Sequence, residues 1–199
     1  MTWLFLVAAY LLGSTPTSYL MGRAVKGIDL REHGSGNLGA TNAFRVLGWK
    51  AALPVMIIDV AKGWFPTIFF PLWDGAAAAE WALAYGAAAI VGHVFSVYLR
   101  FRGGKGVATS AGVFLAIAPW AVLIGFVVWG VTVTLTRIVS LSSILAAVVL
   151  PLAVFVTNEP PFELVLSLGL SAFVIYAHRA NIRRLLRGEE ARFGRRKEA

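Results

Sequence analysis

From Val107 to Thr136 the sequence carries no charged side chain. A soluble domain of this size has too little interior for such a run, whereas a bilayer takes up apolar stretches of about 20 residues at a time. Lipid offers the backbone no hydrogen-bond partners, so chain that crosses it must satisfy its own amides and carbonyls, as α-helices do. The remaining sequence agrees. Of 199 residues, 58% are apolar and 14% charged, and the mean hydropathy is +0.74, more grease than a soluble domain of this length buries. The expected class is an all-α integral membrane protein.

Charge-poor apolar segments lie at roughly 2–22, 51–72, 81–99, 107–118, 120–136, 138–157 and 162–178, which predicts seven transmembrane helices. The run 107–136 would also suit one tilted helix, and the basic residues decide for a break near Ala118, Pro119 and Trp120. Arg23, Lys26, Arg31, Arg45 and Lys50 follow the first segment, and Arg100, Arg102 and Lys105 follow the third. Arg137 precedes the sixth, and eight Lys or Arg lie from 179 onward. The intervening loops hold Asp74, Glu80, Glu159 and Glu163 and no base. A break near Pro119 puts every basic segment on one side, and positive charge in short loops marks the cytoplasmic face. The N-terminus is then expected outside and the C-terminus in the cytoplasm. The first 22 residues lack the basic start of a secretory signal and read as a retained helix.

The chain reads as a single polytopic domain over 1–199, with a basic cytoplasmic tail at 179–199. In that tail Ile182, Leu185 and Leu186 share a helical side among arginines, as an interfacial helix on anionic lipid would; after Gly188 an ordinary positive-inside tail explains the residues equally. There is no cysteine, which removes disulfides, thiolate nucleophiles and cysteine metal sites.

Against this background GSGNLGATN, residues 34–42, is out of character. Gly34, Gly36, Gly39 and Ala40 free the backbone to turn its amides inward, and Ser35, Asn37, Thr41 and Asn42 add short donors, a composition suited to cradling an anion. Arg45 lies about one helical turn beyond Thr41 and Asn42. If a helix begins near Leu38, amides, dipole and guanidinium converge on one phosphate. A capped flexible loop would use the same residues. FRGGKG, residues 101–106, sets Gly103, Gly104 and Gly106 around Lys105 just before the small-residue start VATSAG. It is no nucleotide-binding P-loop, because Gly106 stands where that motif needs a hydroxyl. It describes either amides and a cation at a helix N-terminus or a plain turn.

Asp59 and Lys62 lie three apart inside an apolar segment and are expected to pair on one helix face. His93 is expected as a buried, hydrogen-bonded histidine. His178 and Asn181, also three apart, end the last span on one helix face, level with both glycine loops.

These pieces occur together in one family. GSTPTSYLMG at 13–22, KGIDLREHGSGNLGATNAFR at 26–45, DVAKG at 59–63, GHVFSVYLRFRGGKGVAT at 92–109 and HRANIRRLLRGEE at 178–190 resemble, in order, the characteristic segments of the bacterial membrane glycerol-3-phosphate acyltransferases that use acyl phosphate. Thr15 and Thr17 replace smaller or more apolar residues there, in the first span and away from the catalytic set. The resemblance implies seven helices and an active site at the cytoplasmic face of the bacterial inner membrane. It also implies acyl transfer from acyl phosphate to glycerol-3-phosphate, giving lysophosphatidic acid and phosphate, the first acylation of phospholipid synthesis.

The catalytic residues so implied are Ser35, Arg45, Lys105, His178 and Asn181. The acyl phosphate head would sit on Ser35, Gly36, Asn37, Gly39, Ala40, Thr41 and Asn42 with help from Gly103 and Gly104, and Gly34 and Gly106 complete the substrate-binding set. Arg45 and Lys105 would hold the glycerol-3-phosphate phosphate, and His178 and Asn181 would orient its hydroxyl. The expected partners are these two substrates and membrane lipid, with no nucleic acid, cofactor or metal. The residues five beyond His33, His93 and His178 are Leu38, Tyr98 and Arg183, so the HxxxxD pair of soluble acyltransferases is absent. A rival reading, an anion transporter, would gather its informative residues at the bilayer midplane in inverted repeats; here they gather at one face. A carrier-protein thioester donor is not excluded by spacing alone, and the resemblance argues against it.

Overall fold

A computed structural model describes residues 1–75 and 79–193. The described residues form ten α-helices and two short 3-10 turns and no strand, grouped in two compact units, Met1–Ile117 and Ala118–Ala199.

The first unit opens with α1 (Thr2–Ser14) and α2 (Thr17–Lys26), which together make an apolar span of 25 residues broken at Thr15 and Pro16. Proline breaks the helix here, and other elements take up the carbonyls left at the break. Ser96 donates to the Ser14 carbonyl at 2.5 Å and Lys62 to the Thr15 carbonyl at 3.0 Å. Gly27, at φ +68°, ends α2 in the left-handed region that suits glycine. After a 3-10 turn at Leu30–Glu32 come α3 (Ala40–Leu47) and α4 (Trp49–Asp74), then α5 (Ala79–Val94), a second 3-10 turn at Val97–Leu99, and α6 (Val107–Ile117).

Lipid tails are as apolar as leucine, so helices in a membrane associate through close packing rather than hydrophobic drive, and small residues permit it. Gly13 abuts the Ala89 carbonyl and Gly92 the Tyr10 carbonyl, joining α1 to α5; Gly63 abuts the Thr109 carbonyl and Gly112 the Val60 carbonyl, joining α4 to α6. A methyl at any of the four would strike partner backbone. These contacts fix the end of α5 and the start of α6, and with them the glycine segment between. At the ends of α1 and α4 away from that segment, Phe5 lies 5.1 Å from Phe70 and 6.3 Å from Tyr85 between ring centroids.

The second unit comprises α7 (Pro119–Thr136), α8 (Val139–Val156), α9 (Pro161–Ala177) and α10 (Arg179–Leu186). Pro119 and Pro161 occupy first turns, where a missing amide costs nothing. The axis bends by 58° between α9 and α10.

Five helical stretches are long and apolar enough to cross a bilayer, and a sixth if α9 and α10 count as one bent span. At 1.5 Å per residue, the 11 residues of α6 reach about 16 Å, short of the roughly 30 Å hydrocarbon core. The expected break near Pro119 falls at Ala118, between α6 and α7. The break at Thr15 was not expected. Of the tail, α10 ends at Leu186, whose side chain is exposed; residues 194–199 lie outside the described residues.

Candidate active site

The segment before α3 is pinned by two leucines. Leu30 and Leu38 are buried with Ala43, Ala52, Val55 and Leu99, so the polar residues between them form a bridge over a small apolar core. Gly34 (φ +64°) and Gly36 (φ +70°) turn the bridge, and a side chain there would be strained. Asn42 latches it. Its Oδ1 accepts the Ser35 amide at 2.8 Å, and its Nδ2 donates to the carbonyls of Leu30 (3.2 Å) and His33 (3.0 Å). Asn42 therefore shapes the loop from within, whereas Ser35 and Thr41 are exposed. Gly39 caps α3 in an extended conformation, so the helix begins two residues beyond Leu38. The amides of Ala40 and Thr41 find no acceptor among the described residues, as expected of a helix N-terminus open to an anion. Arg45 stands exposed four residues on from Thr41, on the same face and without an acidic partner among the described residues.

Upstream, Asp29 fastens the start of the loop. Its carboxylate accepts the Arg31 amide at 3.0 Å and the Arg31 guanidinium at 2.6 Å, and both Arg23 and Arg31 lie 5.4 Å from the Tyr19 ring centre. The Arg31 hydrogen bond holds the Asp29 carboxyl well below the ordinary carboxylate range, at about 2. A depressed folded value means the pair stabilises the loop above the unfolded value of about 4 and is lost as pH falls through the folded one. Proteolysis of the loop in purified protein should therefore stay constant down to about pH 4 and accelerate between about pH 4 and 2; Asp29→Asn should remove that transition.

The second glycine segment is folded back on α5. The Gly103 amide donates to the Val94 carbonyl (2.9 Å), the Gly104 amide to the His93 carbonyl (3.1 Å) and the Phe101 amide to the Ser96 carbonyl (2.7 Å). Gly106, at φ +80°, leads into α6. The two segments meet: a methyl at Gly104 would run into the Leu38 carbonyl oxygen and the His93 ring. Leu38, Gly103 and Gly104 line one small cavity of ≈ 10 Å³ with Ser14, Thr17, Lys62 and His93.

Beneath this junction lies a buried ion pair. Lys62 Nζ is 2.8 Å from Asp59 Oδ1, the pairing expected from their spacing, and Thr17 also donates to that oxygen. His93 is buried as expected, yet its Nδ1 makes no hydrogen bond and stops 3.8 Å from Asp59 Oδ1. That oxygen is already taken by Thr17 and Lys62.

In the second unit His178 sits at the bend between α9 and α10, and its Nδ1 lies 2.8 Å from the Val174 carbonyl. A carbonyl only accepts, so Nδ1 carries the proton. Asn181 donates to Glu190 Oε1 at 2.6 Å, where Ser140 also donates at 2.7 Å, and Arg184 donates to Oε2 at 2.6 Å. Burial pushes the Glu190 carboxyl up, but the bonds from Arg184, Ser140 and Asn181 outweigh it and hold the group ionised below its usual range. Sequence reasoning did not single out Glu190, although it closes the 178–190 segment that resembles the family's last motif.

The profile of the family described as "Glycerol-3-phosphate acyltransferase" matches residues 3–188. The chain belongs to the glycerol-3-phosphate acyltransferase family. Curated members include one from Chlorobaculum tepidum, 44% identical over 96% of each chain, and one from Desulforudis audaxviator, 47% identical over 95% of this chain and 94% of the other. Among solved structures, the glycerol 3-phosphate form of PlsY (YgiH), an integral membrane glycerol 3-phosphate acyltransferase, is similar at a TM-score of 0.90 and 40% identity, over 97% of this chain and 96% of that one. Its lysophosphatidic acid form gives 0.88 and 39%, over 97% and 95%. Both loops, the Asp59–Lys62 pair and His178 to Gly188 fall inside the family match.

Proposed function

We propose that this chain transfers an acyl group from acyl phosphate to glycerol-3-phosphate, releasing phosphate and 1-acyl-glycerol-3-phosphate. The observation that carries the reading is the junction of Leu38 with Gly104, which joins two glycine segments, each leading into a helix N-terminus. Two anionic substrates need such a surface. Acyl phosphate is an activated anhydride, so the enzyme mainly has to hold both phosphates, align the reacting groups and exclude water. The glycerol hydroxyl oxygen attacks the acyl carbonyl carbon, the bond from that carbon to the phosphate oxygen breaks, and the hydroxyl proton passes to a phosphate oxygen of the donor.

In this reading the backbone of residues 34–42, with Ser35, Asn37 and Thr41, takes the donor head together with Gly103 and Gly104; Asn42 keeps the loop in shape. Arg45 and Lys105 take the phosphate of glycerol-3-phosphate. His178 and Asn181 orient its hydroxyl, a role supported by their place in the family's last motif. The chain crosses the bacterial inner membrane seven times, with α6 sheltered by its neighbours, the N-terminus outside and the glycine loops on the cytoplasmic face; the one-sided distribution of Lys and Arg supports this topology.

Radiolabelled acyl phosphate and glycerol-3-phosphate with purified protein should give labelled lysophosphatidic acid, and acyl carrier protein thioester should give none. Transfer from the thioester alone would overturn the donor assignment.

A further inference from the structure

The function proposed above assigns no role to the buried cluster beneath the glycine loops, and burying charge in a membrane helix is costly enough to call for a reason. Asp59 and Lys62 are 1% and 5% exposed and His93 is 6% exposed. The histidine ring lies between two things. On one side Nδ1 faces the Asp59 carboxylate at 3.8 Å. On the other, Nε2 lies where a methyl on Gly104 would have to go. The His93 carbonyl also accepts the Gly104 amide, so one residue holds the turn by its backbone from one direction and by its ring from another. Lys62 ties the same cluster to the broken first span through the Thr15 carbonyl.

We propose that His93 is a positioning residue for acyl transfer: its ring, held against the Asp59–Lys62 pair, sets the height of the Gly103–Gly104 turn relative to Leu38 and so the place of Lys105. This rests on the reading of Lys105 as a ligand of glycerol-3-phosphate. The Asp59 carboxylate bounds the ring on the side away from Gly104, and Thr17 and Lys62 hold Asp59 in turn. Removing the ring would let the turn sink toward the ion pair, and a misplacement of about 1 Å in a site that aligns reactants costs on the order of 10²-fold.

The test compares His93→Ala, His93→Gln, Gly104→Ala and the double variant Gly104→Ala with His93→Ala. Thermal melting of each protein is followed without ligand and with glycerol-3-phosphate, alongside transfer kinetics. His93→Ala should raise the KM for glycerol-3-phosphate by at least about tenfold, with a smaller change in kcat, and should weaken stabilisation by glycerol-3-phosphate. His93→Gln, with an amide of similar reach, should recover most of that loss. Gly104→Ala should be impaired because its methyl meets the ring, and removing the ring should restore part of the loss, so that the two losses do not add. A His93→Ala protein with wild-type KM and wild-type stabilisation overturns the proposal, and so do strictly additive losses in the double variant. If His93→Ala does not fold, His93→Gln in the Gly104→Ala background decides by the same criterion, since the side chain's shape changes while its polarity stays. Absence of transfer from acyl phosphate by the wild type defeats the donor reading alone, because stabilisation by glycerol-3-phosphate needs no donor.

Discussion

Replacing Arg45 with alanine should lower kcat/KM for glycerol-3-phosphate by about 10²- to 10³-fold while leaving the melting temperature unchanged. Arg45 is exposed on α3 and has no acidic partner among the described residues, so no part of the fold depends on its charge. Its guanidinium lies on the same side of the helix as Thr41, beyond the open amides of Ala40 and Thr41. A phosphate placed there gains two parallel bonds from a planar fork, the geometry for which arginine is suited. Truncating one partner of such a pair costs about 2 to 5 kcal/mol. Arg45→Lys keeps the charge and loses the fork, so KM should rise with kcat near wild type, the pattern of lost binding shared by ground and transition states. Initial rates over a range of glycerol-3-phosphate concentrations, with melting curves of the same preparations, check both variants. Wild-type kinetics in both would remove Arg45 from the site.

Gly34 to Asn42 stands out in the sequence because small polar residues have no business in a greasy chain, and the structure gives each of its glycine turns a definite backbone. The inner and outer roles within it were not legible. Ser35, Asn37, Thr41 and Asn42 look alike as short polar residues, and only tertiary contacts distinguish them: Asn42 is latched to Ser35, Leu30 and His33, while Thr41 faces outward. Helical periodicity carries part of this, since Thr41 and Arg45 share a face that Asn42 leaves.

Proline gave an uneven signal for a related reason. Pro54, Pro66 and Pro71 lie inside α4 without ending it, whereas Pro16 separates α1 from α2. The difference lies in distant partners for the carbonyls left at the break, Ser96 for Ser14 and Lys62 for Thr15, 82 and 47 residues away in the chain. No local pattern contains them. Pro119 was readable because the loop charges around it demanded a break, a constraint that acts over the whole chain. Glu190 was hidden in the opposite way: an acid among arginines reads as a solvated tail, and its bonds to Ser140 and Asn181 come from residues 50 and 9 positions away.

His178→Gln should keep turnover at saturating glycerol-3-phosphate within about tenfold of wild type, and His178→Ala should lose on the order of 10² or more, the lower end of what removing a general acid or base costs. The ring is anchored by its Nδ1 proton on the Val174 carbonyl, and in the proposed role the substrate hydroxyl meets Nε2. The amide of glutamine reaches about as far as Nε2, and that of asparagine about as far as Nδ1. Glutamine therefore replaces the outer hydrogen bond, and asparagine replaces the anchor. If the donor's own phosphate takes the hydroxyl proton, orientation is all that His178 supplies, and glutamine should outperform asparagine with its defect chiefly in KM. If the imidazole takes the proton, neither amide can substitute, because an amide is no base near neutral pH. Wild-type activity would then also fall with decreasing pH as the imidazole protonates. Turnover of the Ala, Asn and Gln proteins at saturating substrate, each checked by its melting curve, separates the two. A thousandfold loss persisting in folded His178→Gln would defeat the donor phosphate as proton acceptor and make His178 the base.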